Sequence, residues 1–571
     1  MSRDHAQAEV LTVLNWPTAE GAEVVWNSQL GKSLHCTKMN RKHASAIDHD
    51  EIYELSSDTH SDNDRTSTDE KDSSARLLTK TDAPPPQRTW QVLRSIWALL
   101  SPTWSRRTAS RRVRRVRKLK SRIRNGWRHR LALLLYSLIL LVSIVVLITG
   151  VFFPSYTRLP AHYRALQERI RAGNRTGRGN IHNEKIFIAA SIYDPGGRLA
   201  GGDWGRNVLE LVEILGPENV FLSIYENDSG DEGMAALADF ETQVPCEHTI
   251  IAEPHLDVTA LRQIMLPNGE HKVKRIEYLA EVRNRALKPL ETARLRFDKV
   301  LYLNDVMFHA EEAAQLLFST NSGIDGRADY RAACAIDFIN VFKFYDTFAS
   351  RDMNGYSLGV PFFPWLSMPG ESMDDLLAGK DAVRVRSCWG GMVAFDAKYF
   401  QKWQGEALGP TAASESPANL TEPYRFRAEE DLWWDASECC LIHADIQSPD
   451  PGQRGIYMNP FVRVAYDSTT LSWLAFTRRF ERLYRPIHRL ADFIARLPHH
   501  NTRRAESAWQ EVREAVWVVD ESLPGNGTFR ELTRTAQHAG FCGRRALQVM
   551  KEEKGTGKNW EFVPVPVELS D

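Results

Sequence analysis

Residues 131–153 form an unbroken apolar run of 23 residues, and the 25 residues before it hold 13 Lys and Arg, among them Arg111, Arg112, Arg114, Arg115, Arg117 and Lys118. As a helix rising 1.5 Å per residue the run extends about 34 Å, enough to cross a hydrocarbon core of about 30 Å. The first basic residue after it is Arg158. Positive charge gathered on the amino-terminal side puts that side in the cytosol and the long carboxy-terminal part in the lumen or outside the cell. The run lies too far from the start, and is too long, for a cleaved signal peptide. It therefore reads as a retained single-pass anchor. Beside such a helix the basic block sets topology and meets anionic lipid, so nucleic acid is not an expected partner.

Composition divides the rest of the chain. Residues 1–130 include a polar, acidic stretch at 56–74 with almost no apolar side chains, which cannot bury enough surface to offset its ordering entropy. This tail reads as disordered. Residues 154–184 are polar, with Gly173, Gly177 and Gly179, and read as a short stem. The following 400 or so residues are rich in Trp, Phe and Ile, enough for a large domain at 185–470 and an extension at 471–571. Six of the seven cysteines fall on the oxidising side without paired Cys-x-x-Cys spacing, which allows up to three disulfides and argues against zinc. Four Asn-x-Ser/Thr sequons, at Asn174, Asn227, Asn419 and Asn526, also lie on that side.

From residue 185 short apolar runs alternate with helical spacing. KIFIAASIY (185–193) reads as a strand followed by turn residues, 207–215 as a helix stopped by Gly216-Pro217, VFLSIY (220–225) and 249–252 as further strands, and 300–303 as another ending in Asn304-Asp305. Such alternation predicts a mainly parallel α/β sheet whose ligands meet the carboxyl ends of the strands. Those ends carry Asp194, Asp228 and Asp305. Between them, residues 275–290 have a helical apolar stripe of Ile276, Leu279, Ala286, Leu287 and Leu290 into which Arg283 falls. A buried guanidinium needs a carboxylate or a phosphate, so the stripe predicts either a salt bridge or a diphosphate site.

The motifs FIAASIYD, WGRNVLELVEILG, VFLSIYENDSGD, EYLAEVRNRAL, KVLYLNDV, RSCWGGMVAFDA and RAEEDLWWDA, in that order, resemble the fungal capsule-associated α-1,3-mannosyltransferases, glycosyltransferase family 69. The resemblance covers about residues 185–466. It implies a GT-A type nucleotide-sugar fold, a type II anchor in the Golgi membrane with the catalytic domain luminal, GDP-mannose as donor and a glycan or polysaccharide acceptor. It further implies a divalent cation, Mn2+ or else Mg2+, and retention of anomeric configuration. Another nucleotide sugar on the same scaffold, or a catalytically silent glycan-binding relative, are the alternatives.

Such a transfer sets four requirements. A diphosphate leaving group needs a hard cation held by oxygen ligands, for which Asp305 with Asn304 are the candidates and His443 a further one. Only one carboxylate stands where many GT-A enzymes carry Asp-x-Asp. Arg283 and Asn284 match the family's Arg-Asn helix on the diphosphate, and Asp194, Glu226 and Asp228 would meet the ribose or base. A glycan on Asn227 would crowd that loop, so this sequon is expected to stay empty. Trp389, Gly390 and Gly391 would bring bare backbone to the donor sugar with an indole over it. Glu430 and Asp431 open an expected helix and would act on the acceptor, as base in an inverting enzyme or as orienting acid in a retaining one. Asp337 is a further candidate for the sugar or acceptor pocket. Beyond residue 466, residues 471–497 have helical spacing and are strongly basic, and are expected to pack on the core with a basic face outward or to touch a membrane or an acidic polysaccharide.

Overall fold

The computed structural model describes residues 111–293, 295–402, 422–498, 501–519, 527–551 and 559–566. Of the disordered tail expected over residues 1–130, residues 1–110 lie outside them and residues 111–130 are helical instead. Helix α1 (Arg111–Phe152) carries the basic block in its first half, and within it His129–Phe152 is long and apolar enough to cross a membrane.

The eight-stranded central sheet comprises β1 (Ile186–Ile192), β2 (Val220–Asn227), β3 (Glu247–Glu253), β4 (Lys299–Leu303), β5 (Ala332–Phe338), β6 (Val383–Arg384), β7 (Met392–Asp396) and β8 (Ile456–Ala465), in the order β3-β2-β1-β4-β7-β5-β8-β6. Strands β3, β2, β1 and β4 are mutually parallel, while β7 runs antiparallel between β4 and β5. The chain steps outward from β1 to β3 and then returns to add β4 on the other side of β1. That reversal opens a crevice at the carboxyl ends of β1 and β4, where α/β sheets bind ligands.

Alternation along β1 feeds two cores. Phe187 and Ala189 face one side with Ile276, Leu279 and Ala286 of α5 (Arg275–Leu287), once α2 (Ala161–Arg171), α3 (Asp203–Leu215) and α4 (Gly230–Glu241) are placed before it. Ile186, Ile188 and Ala190 face the other with Trp204, Val208 and Leu211 of α3 and Ala313 and Leu316 of α6 (Ala310–Ser319). Helices thus cover both faces of the α/β sheet.

Three boundaries differ from expectation. Residues 154–184 are not a free stem. Tyr156 is buried and donates to Leu376 O, and α2 sinks Tyr163, Leu166 and Ile170, so the domain begins directly at the end of α1. Residues 471–571 are not an appendage either: disulfide Cys440–Cys542 and pairing of Trp434–Ala436 with Gly543–Arg545 join them to the domain. Nor does a helix start at the acidic motif. Residues 423–431 are irregular because the buried Lys274 ammonium donates to the carbonyls of Glu429, Asp431 and Trp434, which wraps the backbone around a cation. Helix α7 (Glu438–Ile446) begins only afterwards, capped by Ser437.

Candidate active site

The register places the site. Ile192 pairs with Glu226, and Ala190 pairs with Leu303, so Asp305 lies two residues beyond the last β4 pair, level with Ile192 and Glu226. Asp305 is buried, and its Oδ2 has no hydrogen-bond partner. Burial, with the Asp194 carboxylate adding repulsion, outweighs the pull of Arg283 and pushes its pKa up to about 6. Glu226 is similar: Oε1 accepts from Ser229 N at 2.9 Å, Oε2 is buried without a partner, and burial raises its pKa. Each of these orphaned oxygens, on strands separated by β1, is a hard donor of the kind that divalent cations satisfy.

Arg283 is engaged within the protein. Its Nε donates to Glu438 Oε1 at 2.8 Å and its Nη1 to Asn304 Oδ1 at 2.9 Å, while its guanidinium lies 4.4 Å from the centre of the Trp389 ring. The salt bridge is therefore the outcome of the buried stripe. It also corrects the assignment of Asn304, whose side-chain oxygen is given to Arg283 instead of projecting free for a metal. Asn284 closes on the backbone of Phe426 from both ends, donating to its carbonyl at 2.8 Å and accepting from its N–H at 2.9 Å. It fastens α5 to the acidic motif, with its oxygen and one amide proton spent on that backbone.

Two other expected ligands are structural here. His443 is fully buried, its Nδ1 is 2.6 Å from Cys439 O, its ring faces Phe395, and burial pushes its pKa down to about 4. Its Nε2 faces Cys334 Sγ at 3.8 Å, but that sulfur is bonded to Cys388, so the trio of Cys334, Cys388 and His443 holds no thiolate for a metal. Asp194 spends its carboxylate on Leu199 N and Ala200 N, which fixes the loop ahead of α3.

Gly390 and Gly391 are both left-handed, at φ of 58° and 64°. A Cβ would lie 2.0 Å from Ala335 O at the first and 2.6 Å from Val306 Cγ1 at the second. The close approach these glycines permit is thus to β5 and Val306, where a donor sugar was expected. Trp389 is buried beside Tyr302 and Phe426 as well as Arg283, with its Nε1 unpartnered. It forms one wall of a small cavity that Arg283, Glu438 and Asp346 also line.

Asp346 and Glu438 escaped the sequence reading. Asp337 accepts from Asp346 N at 3.1 Å and from Tyr466 OH at 3.1 Å, and burial together with the Asp346 charge pushes its pKa up to about 7. Asp346 in turn accepts from Ala349 N and Ser350 Oγ, and burial raises its pKa also. A turn of buried carboxylates beside Trp389 follows from β5 running into residues 345–350, a contact no local spacing encodes.

In the acidic motif Asp431 is held by Arg503 Nη2 at 2.7 Å, whereas Glu430 is exposed and 3.5 Å from Arg262. Glu430 lines an open groove with Arg262, Arg427, Asp445 and His538. Asp228, left-handed at φ 68°, accepts from Asn227 Nδ2 and meets His255 at 2.9 Å. Asn227 is buried and also donates to Tyr278 OH, which leaves its amide no room for a glycan.

The strand order, the crevice at β1 and β4 and the carboxylates at its mouth define an α/β domain of the GT-A type. Residues 185–445 match the model of the family described as Cryptococcal mannosyltransferase 1. Over 281 residues the chain is 24% identical to the alpha-1,3-mannosyltransferase CMT1 of Cryptococcus neoformans var. neoformans serotype D, covering 46% of this chain and 54% of that one. The chain thus spans about half the length of the curated relative it matches. Among solved structures, it is similar to the mannosyltransferase PcManGT of Pyrobaculum calidifontis in complex with GDP-Man and Mn2+ (10% identity, TM-score 0.26, 59% of this chain and 72% of that one). Glucosyl-3-phosphoglycerate synthase of Mycobacterium tuberculosis, in complex with Mn2+, UDP and phosphoglyceric acid, is similar at 12% identity and TM-score 0.26 over 67% and 94%. The family likeness thus lies over residues 185–445, a little under half of the chain.

Proposed function

We propose that this chain transfers mannose from GDP-mannose to a hydroxyl of a glycan or polysaccharide, forming an α-1,3 linkage with retention, from a domain anchored by α1 on the luminal side of the Golgi membrane. The observation that carries the reading is Asp305, a buried carboxylate with an unpartnered oxygen at the strand-end crevice of a domain that matches a mannosyltransferase family model. The matched relative's name supports the sugar and the linkage.

Asp305 would hold a divalent cation, Mn2+ or Mg2+, through its orphaned oxygen. When bound, that cation neutralises charge growing on the diphosphate leaving group. Arg283 supplies a fixed positive charge at the strand end and, through Asn304, holds the backbone that carries Asp305. Because Glu438 fixes the guanidinium in advance, this charge would need no reorganisation. Glu430 is the exposed acid of its motif in the groove, beside Arg262, and it would orient the acceptor hydroxyl. Asp431, tied to Arg503, positions that loop. Trp389 closes the wall behind the sugar and excludes water.

The test is transfer itself. Full-length protein in nanodiscs with Mn2+ is given GDP-mannose or UDP-glucose and an α-mannoside acceptor, with nucleotide release and product anomeric configuration read together. The reading expects GDP release and a new α-mannoside, lost in folded Asp305→Ala. Turnover with UDP-glucose alone, or none above the variant with either donor, overturns it.

A further inference from the structure

Residues 468–496 fold as α8 (Ser468–Thr477), a 3-10 turn (Arg478–Leu483) and α9 (Tyr484–Ala495). Helix α9 is amphipathic in the inverse sense. Its inward face is polar: His488 and Asp492, both buried, pair at 3.0 Å, and Asp492 also accepts from Val360 N and Ser367 Oγ at 2.7 Å. Its outward face carries Ile487, Leu490 and Ile494 at i, i+3 and i+7, with Phe493 beside them, and Phe493 and Ile494 are 83% and 71% exposed. Trp473 and Phe476 of α8 extend the apolar surface and are half exposed. A face of this size left bare on a domain is unusual and marks a contact surface.

Charge sorts the same way. The acids of this segment, Glu481 and Asp492, point inward, Glu481 to the buried Arg463, while Arg479, Arg482, Arg485, Arg489 and Arg496 are exposed around the apolar face. Apolar side chains ringed by arginine are the pattern of helices that lie in a bilayer interface.

The placement is fixed by α1. The 3-10 turn packs directly on its carboxy-terminal end: a Cβ on Gly150 would fall 2.5 Å from Phe480 Cε1, and Arg478 Nη1 donates to Tyr156 O at 3.3 Å. Gly150 lies three residues inside the apolar run that ends at Phe153, about 4.5 Å short of its end. Phe480 is therefore level with the last turn of the run. With no stem to raise the domain, whatever surrounds that turn of α1 also surrounds α8 and α9.

We propose that α8 and α9 form a monotopic membrane contact, in which Trp473, Phe476, Ile487, Leu490, Phe493 and Ile494 sink into the leaflet on the domain's side while the arginines meet headgroup phosphates. The occupant is the lipid bilayer that α1 crosses, and the inference rests on the reading of α1 as a membrane span. The consequence is a catalytic domain laid against the membrane in one orientation, not suspended above it.

The experiment uses full-length protein in phosphatidylcholine and phosphatidylserine nanodiscs, with Cys36→Ser removing one native thiol, while the free Cys246 and Cys439 are buried. Single cysteines replace Ile494, Leu140 in α1, or the fully exposed Ile324, and each carries an environment-sensitive fluorophore. Expected are blue-shifted emission and severalfold slower quenching by aqueous iodide at 494 and 140, with neither at 324. Protection at 140 with 494 quenched like 324 overturns the docking proposal alone. Quenching at both 140 and 494 overturns the reading of α1 and the proposal with it.

Discussion

Asp305→Asn in the absence of divalent cation should make stability less sensitive to pH. The wild-type carboxyl titrates at about 6 in the folded protein against an ordinary 3.8, a rise of roughly two units caused mainly by burial. At 1.36 kcal/mol per unit this is worth about 3 kcal/mol. The folded state holds this proton more tightly than the unfolded state, so between about pH 4 and 6 it binds more protons, and stability falls as pH rises through that window. Above it the whole penalty of a buried, unneutralised carboxylate stands. Asparagine has no such charge, and any cost of its unpartnered amide is the same at every pH. Unfolding in urea, on EDTA-treated protein in detergent from pH 4 to 8, should therefore show wild type losing about 3 kcal/mol relative to the variant across that range. Asp337, Asp352 and Asp435 also have raised pKa values, but they titrate in both proteins and cancel in the difference. Manganese at pH 8 should recover the loss in wild type and leave the variant unchanged. Parallel pH curves would refute the claim that burial of this carboxylate outweighs the pull of Arg283.

Glu438→Gln and Arg283→Met should each destabilise the protein by about 3–5 kcal/mol, because each strands a buried partner, while a double variant, Arg283→Met with Glu438→Leu, should recover most of that loss; urea midpoints for the three variants check the coupling. Gly390→Ala should cost about 2–4 kcal/mol, from left-handed strain and the collision with Ala335 O, as read by thermal unfolding or by a drop in folded yield. On a luminal domain Asn174, which is exposed, should carry a glycan and buried Asn227 none, so Asn174→Gln should lower the apparent mass while Asn227→Gln leaves it unchanged.

Strands β1, β2 and β4 were legible because each is a short apolar run closed by turn residues, and the acids that follow them fell where parallel-sheet logic puts a ligand. The burial of Arg283 was legible from its place in the α5 stripe, but its partner was not. Glu438 is 155 residues away, and in sequence it is only an acid in the first turn of a helix. The acidic motif misled for the same reason: acids suit a helix start, and nothing local reveals that Lys274 draws the carbonyls around itself. Gly390-Gly391 signalled close backbone approach, yet sequence could not say whether to a sugar or to β5. The segment at 471–497 was read by its charge, whereas its orientation is set by His488 and Asp492 turning inward.

The most direct test of the central claim is the thermal midpoint of the full-length protein in nanodiscs with GDP-mannose, with and without Mn2+, for wild type and Asp305→Ala. The account predicts a rise with both ligands together, about 2.7 kcal/mol of added stability at a ligand concentration a hundredfold above Kd, that Asp305→Ala abolishes. An equal rise in the variant, or no rise in wild type, would contradict the assignment of the β1 and β4 crevice as the donor site.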